Sequence, residues 1–98
     1  MARLSARFTP QFKRDFKQLQ KKHVDTAPLE SVFALVLENS ERSHNELVRR
    51  HNMHVLTGVW KGSYECHVAN AGDWLLIWKT GEGLAVFQRT GSHDELFR

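Results

Sequence analysis

Apolar residues recur along this chain at two different spacings, and the change between them falls near residue 53. The opening stretch "RLSARF" alternates, with Leu4, Ala6 and Phe8 on one side, which predicts a short strand. "TPQFKRDFKQLQKKH" then sets Phe12, Phe16 and Leu19 at i, i+4 and i+7, the apolar stripe of a helix. Thr9 is suited to cap that helix, and Pro10 to stand at its first position. "DTAPLESVFALVLEN" predicts a second helix. Asp25 or Thr26 is its cap, Pro28 opens it, and Leu29, Val32, Phe33, Val36 and Leu37 form its buried face. "SERSHNELVRRHN" reads two ways. Ser43 and Glu46 have capping-box spacing, which predicts a short third helix, while the polar composition equally suits a loop.

From Met53 the period shortens. "HVLTGVWKGSYECHVA", "DWLLIWK" and "LAVFQRT" are rich in Val, Ile, Trp and Phe and are separated by Gly-containing breaks. They predict three strands, the last two joined by the tight turn "TGEG". Ser92 and Glu95 repeat the capping spacing, so the chain is expected to finish in a short helical turn. The expected order is strand-helix-helix-strand-strand-strand. This is an α+β fold with two N-terminal helices on one sheet face and the other face left for water or a partner. A length of 98 residues places 1–98 in a single domain.

Composition narrows the setting. Cys66 is the one cysteine, so no internal disulfide forms, and a reducing cytoplasm fits best. Neither a signal-peptide core nor a membrane-spanning apolar run is present, and no membrane contact is expected. The net charge of +3 is unevenly spread. Between Arg3 and Lys22 stand seven Lys or Arg and a single acid, Asp15, whereas residues 25–46 are acidic. Lys13, Lys17 and Lys21 share a helix face with Arg14 beside them, a pattern that suits a polyanion or an acidic partner.

The candidate chemistry lies in the C-terminal half: His54, His67, Asp73, Arg89 and His93, with Trp74 and Phe97 nearby. Taken singly, each histidine is more often a bystander than a catalyst. A zinc site is disfavoured, because adjacent strand residues such as Cys66 and His67 point to opposite faces and cannot chelate together. The same geometry rules out a Cys66–His67 nucleophile pair and turns Cys66 toward the core. No metal or cofactor is expected. RNA cleavage fits the residue types better. The substrate carries its own 2′-hydroxyl nucleophile, so the protein needs only a proton acceptor, a proton donor and a cation on the phosphate. Imidazoles serve the first two near neutrality, and arginine serves the third. Exposed aromatic rings can stack bases.

The stretch "HVLTGVWKGSYECHVANAGDWLLIWK…LAVFQRTGSHDELF" resembles the YafQ branch of the RelE-like toxins of bacterial toxin–antitoxin pairs. "FTPQFKRDFKQLQKKH" also resembles the basic first helix of that family, so the similarity spans nearly the whole chain. The resemblance implies a RelE-like sheet with two helices on one face. It implies a ribosome-dependent endoribonuclease that cuts mRNA during translation, silenced by a cognate antitoxin. Operator DNA would be contacted only indirectly, through the antitoxin. Carried over by motif, the catalytic positions are His54, His67, Asp73, Arg89 and His93, with Trp74 and Phe97 against the nucleotide. His93 is the expected general acid, with His54 or His67 as base, Asp73 orienting or charging an imidazole, and Arg89 on the phosphate. Lys13, Arg14, Lys17 and Lys21 are expected to grip ribosomal RNA. The sequence departs from the family at Val55, where Pro is common, and in "HVANAGDW", which is longer between His67 and Asp73. Two other functions compete: a ParE-like toxin acting on DNA gyrase, and a non-catalytic RNA- or protein-binding module. The His/Asp/Arg set favours the nuclease.

Overall fold

A computed structural model of the chain describes residues 2–69 and 72–97. The elements run β1 (Ser5–Phe8), α1 (Pro10–Lys21), α2 (Ala27–Glu38), α3 (Glu41–His51), β2 (His54–Val55), β3 (Tyr64–His67), β4 (Leu75–Gly81), β5 (Leu84–Gly91) and α4 (His93–Phe97). One turn of 3-10 helix, Gly58–Trp60, lies between β2 and β3. The strands form one sheet in the order β1-β5-β4-β3-β2. β1 runs parallel to β5, and every other pairing is antiparallel.

The helix starts follow local chemistry. The Thr9 hydroxyl accepts the Phe12 N–H at 3.0 Å and donates to the Gln88 carbonyl at 2.9 Å, so one side chain caps α1 and pins it to β5. At α2 the Thr26 side chain makes no cap bond; the Asp25 carboxylate accepts the Ala27 N–H instead, at 3.0 Å. The ambiguous segment after α2 is a helix, and it starts one turn earlier than the Ser43–Glu46 spacing predicts. Ser40 is the cap, with Ser43 as its reciprocal partner, each N–H reaching the other hydroxyl at 3.0 Å. Asn39 ends α2 in the left-handed region at φ 51, so the chain restarts a helix immediately. Ser43 is then buried inside the first turn, and Glu46 faces outward toward Arg50 at 3.5 Å.

The strand predicted over "HVLTGVWKGSYECHVA" is broken in two. β2 ends after two residues, the chain doubles back through the 3-10 turn, and the Leu56 N–H meets the Ser63 carbonyl at 2.8 Å before β3 begins. The turn between β4 and β5 agrees with the sequence. Glu82 and Gly83 both have positive φ, 52 and 77, the conformation that suits a two-residue hairpin. Near its other end the same pair carries a bulge. Trp78 pairs with Phe87 but Ile77 pairs with Arg89, which leaves Gln88 as the extra residue.

β4 is buried on both faces. Leu76 and Trp78 join Cys66, Val68, Ala85 and Phe87 against Phe12, Leu29, Val32, Val36 and Leu47 of the three helices. Leu75 and Ile77 face the other way, under Leu96 of α4 and beside Leu56 and Trp60. The second face is therefore partly covered by the chain itself rather than left wholly to water or a partner. Phe87 is the aromatic hub of the larger core, with ring centroids 4.5 Å from Phe33, 5.4 Å from Phe8 and 6.2 Å from Phe12. Phe87→Ala is expected to cost about 3–5 kcal/mol, read as a lower urea midpoint with an unchanged denaturant slope.

Candidate active site

His54, Arg89 and His67 lie on two cross-strand rows, two residues apart along the strands. His54 pairs with Glu65, Glu65 with Ile77, and Ile77 with Arg89. Beyond the intervening Cys66–Leu76–Thr90 row, a second row runs from His67 through Leu75 to Gly91. Neighbouring strands are about 4.8 Å apart, so His67 lies roughly 10 Å across the sheet from the start of the "GSH" turn.

That turn is tightly built. The Ser92 N–H donates to Glu95 Oε1 at 2.8 Å, and the Glu95 N–H donates to the Ser92 hydroxyl at 3.2 Å, the reciprocal box that the spacing predicts. Gly91, at φ 156, leaves room for it, since a Cβ there would lie 3.2 Å from Glu95 Oε1. The Asp73 carboxylate accepts the His93 N–H at 2.9 Å. Asp73 thus meets His93 through the main chain. The His93 and Phe97 rings stand side by side, centroids 4.9 Å apart, and both residues are exposed. Among the described residues the His93 ring accepts and donates no hydrogen bond.

The other histidines differ sharply. His54 is exposed, but both ring nitrogens face acceptors. Nδ1 lies 2.8 Å from the Asn52 carbonyl, and Nε2 lies 3.2 Å from Glu65 Oε1. The His67 ring makes no hydrogen bond among the described residues; only its carbonyl is engaged, by His51 Nδ1 at 2.8 Å. Residues 70 and 71, inside the lengthened segment between His67 and Asp73, lie outside the described residues.

Arg89 and Trp74 are held from behind. Arg89 Nε and Nη2 donate to the Asp15 carboxylate at 2.8 and 3.2 Å. The Trp74 indole N–H donates to the Thr90 hydroxyl at 3.0 Å, which in turn donates to the Leu75 carbonyl at 2.9 Å. Trp74 is half-buried and packs against the larger core. On α1, Arg14, Lys17 and Lys21 line a shallow groove with Gln11, Asp15 and Gln18, while Lys13 lies beside Phe8, Phe12, Phe16 and Phe33. The four cations are exposed.

Two acids that the sequence reading passed over support these groups. Glu65 is buried beneath His54, with Oε2 lacking any partner among the described residues. Its signal was an acid inside an apolar strand, "YECHV". Asp15 was visible as the lone acid among seven cations. Cys66 is buried, and burial pushes its thiol up, so it is a core residue and not a nucleophile. Among the described residues no three His, Cys, Asp or Glu side chains converge as metal ligands would, and no helix is long and apolar enough to cross a membrane.

This arrangement is that of a bacterial toxin from a type II toxin–antitoxin system, whose family model matches residues 4–98. Within that class the chain belongs to the YafQ family. The mRNA interferase toxin YafQ of Escherichia coli K12 is 36% identical over 90 residues, covering 92% of this chain and 91% of that protein. The crystal structure of YafQ from Escherichia coli BL21(DE3) superposes with a TM-score of 0.82 at 33% identity, covering 97% of this chain and 99% of that one. A YafQ-like match in the Escherichia coli DinJ–YafQ toxin–antitoxin complex has a TM-score of 0.80 at 32% identity, with 98% and 99% covered.

The cap beside His93 has a pH signature. Hydrogen bonds from the Ser92 N–H and then the Ser92 hydroxyl hold the Glu95 carboxyl below its ordinary value. Its contribution to stability is present above the ordinary glutamate range and is lost as pH falls through the lowered value. Thermal unfolding of wild type and Glu95→Ala is expected to differ at neutral pH, and the gap should narrow as pH falls below the ordinary glutamate range and through the lowered value.

Proposed function

We propose that the chain is a ribosome-dependent endoribonuclease toxin that cuts mRNA by metal-independent acid–base chemistry. The observation that supports this reading is that His67 shares a cross-strand row with Gly91, two residues before His93, and that neither imidazole makes a hydrogen bond among the described residues. His67 is the general base. It takes the 2′-hydroxyl proton, and the oxygen attacks the adjacent phosphorus. His54 does not suit that task, because a neutral imidazole has one N–H and one lone pair, and both His54 nitrogens face acceptors. Glu65 and His54 instead form an edge pair that holds the β2 end.

As the new O2′–P bond forms, the P–O5′ bond breaks, and His93 protonates the departing oxygen. Asp73 and the Ser92–Glu95 box hold the His93 main chain, so the acid's position is set while its ring stays free. Arg89 donates to the phosphate oxygens as their negative charge grows. Phe97 lies beside His93 to receive a base, and Trp74, held by the Thr90 hydroxyl, offers a second ring. Arg14, Lys17 and Lys21 contact ribosomal RNA phosphates along the α1 groove, and Lys13, one turn before Lys17, adds to them. A cognate antitoxin is the expected partner, and operator DNA is reached only through it. The reduced Cys66 fits the cytoplasm.

The test is cleavage of a defined mRNA on translating ribosomes, with a ribosome-free control. His93→Ala is expected to lower the rate by about 10²–10⁴, and His67→Ala more than His54→Ala. Cuts without ribosomes would remove the ribosome from the mechanism, and no cuts by folded wild type would turn the reading to a gyrase-directed toxin or a binding module. Reversing Lys17 and Lys21 to Glu should weaken ribosome binding and flatten its salt dependence; an unchanged slope would place the RNA contact elsewhere.

A further inference from the structure

Asp15 is the lone acid in a strongly basic stretch, yet it does not pair with the lysines around it. It turns inward and is only 11% exposed. Its carboxylate gathers Arg89 Nε at 2.8 Å, Arg89 Nη2 at 3.2 Å, the Thr90 N–H at 3.1 Å and the Gln11 amide at 3.1 Å. The reason lies in the sheet. β1 pairs with β5 only as far as Phe8 and Phe87. Beyond that point the edge of β5 needs other partners, and the start of α1 supplies them through Thr9 and Asp15.

The pairing uses one side of the guanidinium. Arginine has five N–H donors in a rigid plane, and Asp15 takes two of them, on the Nε and Nη2 edge. The far edge, formed by Nη1 and the second Nη2 proton, makes no hydrogen bond among the described residues. That edge matches two phosphate oxygens in a fork. The same carboxylate reaches Thr90, whose hydroxyl holds Trp74, so one acid aligns α1, Arg89 and the Trp74 ring.

We propose that Asp15 is a positioning residue: it grips Arg89 side-on so that the far edge of the guanidinium is presented to the scissile phosphate. It ties that presentation to the helix carrying Arg14, Lys17 and Lys21. This rests on the reading of Arg89 as the phosphate group. A free arginine would have to give up its rotamer freedom at each encounter, whereas the clamped one is already in place.

The experiment compares wild type, Asp15→Asn, Arg89→Ala and the double variant in single-turnover mRNA cleavage, with ribosome concentration varied and thermal unfolding measured for each. Asp15→Asn is expected to lower the saturated rate by about 10–100-fold without moving the half-saturating ribosome concentration. In the Arg89→Ala background it should cost nothing further. Asp15→Glu should recover part of the rate. Equal losses in both backgrounds, or a loss that matches the unfolded fraction, would overturn the proposal. Should Asp15→Asn fail to fold, Arg89→Lys carries the test. It keeps the charge but cannot be gripped on one edge while presenting another, so it should fall as far as Arg89→Ala, and wild-type activity in it overturns the clamp. An active wild type with an unaffected Asp15→Asn overturns the clamp alone. A folded wild type that cuts nothing overturns the nuclease reading and the clamp with it.

Discussion

The burial of β4 on both faces is the constraint from which most of this structure follows. Leu75, Leu76, Ile77 and Trp78 are all buried, and they point alternately to opposite sides. A strand of that kind needs two covers. The three helices provide one. A helix of five residues and a doubled-back turn provide the other, through Leu96, Leu56 and Trp60. Each large apolar side chain moved out of water contributes about 1.5–3 kcal/mol, so both covers are stabilising and neither is an ornament. The short second cover also brings α4 back over the sheet, and α4 begins with His93.

The candidate site is built by holding main chains and leaving rings free. Asp73 binds the His93 N–H, Ser92 and Glu95 cap each other, and Thr90 gathers Trp74 and Leu75. None of these bonds uses the imidazole that would move a proton. This division matters for acid–base chemistry, because a ring locked between two partners has no lone pair or proton to offer. His54 is the contrast: it is positioned through its ring, and that suits support better than proton transfer.

Charge is divided in a similar way. The exposed cations of α1 remain available to a polyanion, whereas the one acid of that segment is turned into the sheet edge. A buried carboxylate is costly unless paired and hydrogen-bonded, and Asp15 meets both conditions through a single neighbouring strand. The acid therefore removes little of the outward positive field of the helix while fixing the strand end that the candidate chemistry needs.

Local patterns in the sequence determined what local interactions decide. The apolar stripes of α1 and α2, the Thr9 cap, the Glu82–Gly83 turn and the Ser92–Glu95 box each involve residues within a few positions of one another, so spacing alone reports them. The quoted motifs also put the histidines and Arg89 forward as a candidate set. Tertiary structure decided the rest. Ser40 rather than Ser43 begins α3 because packing buries Ser43. The long predicted strand breaks because its middle must fold back to cover Ile77. β1 lies parallel to β5, at the far end of the chain. Asp15 and Arg89, 74 positions apart, meet only once that sheet has closed. Helix and turn preferences act between neighbours and are written in spacing; an ion pair or a strand register joins distant residues, and only the packed chain brings them within reach.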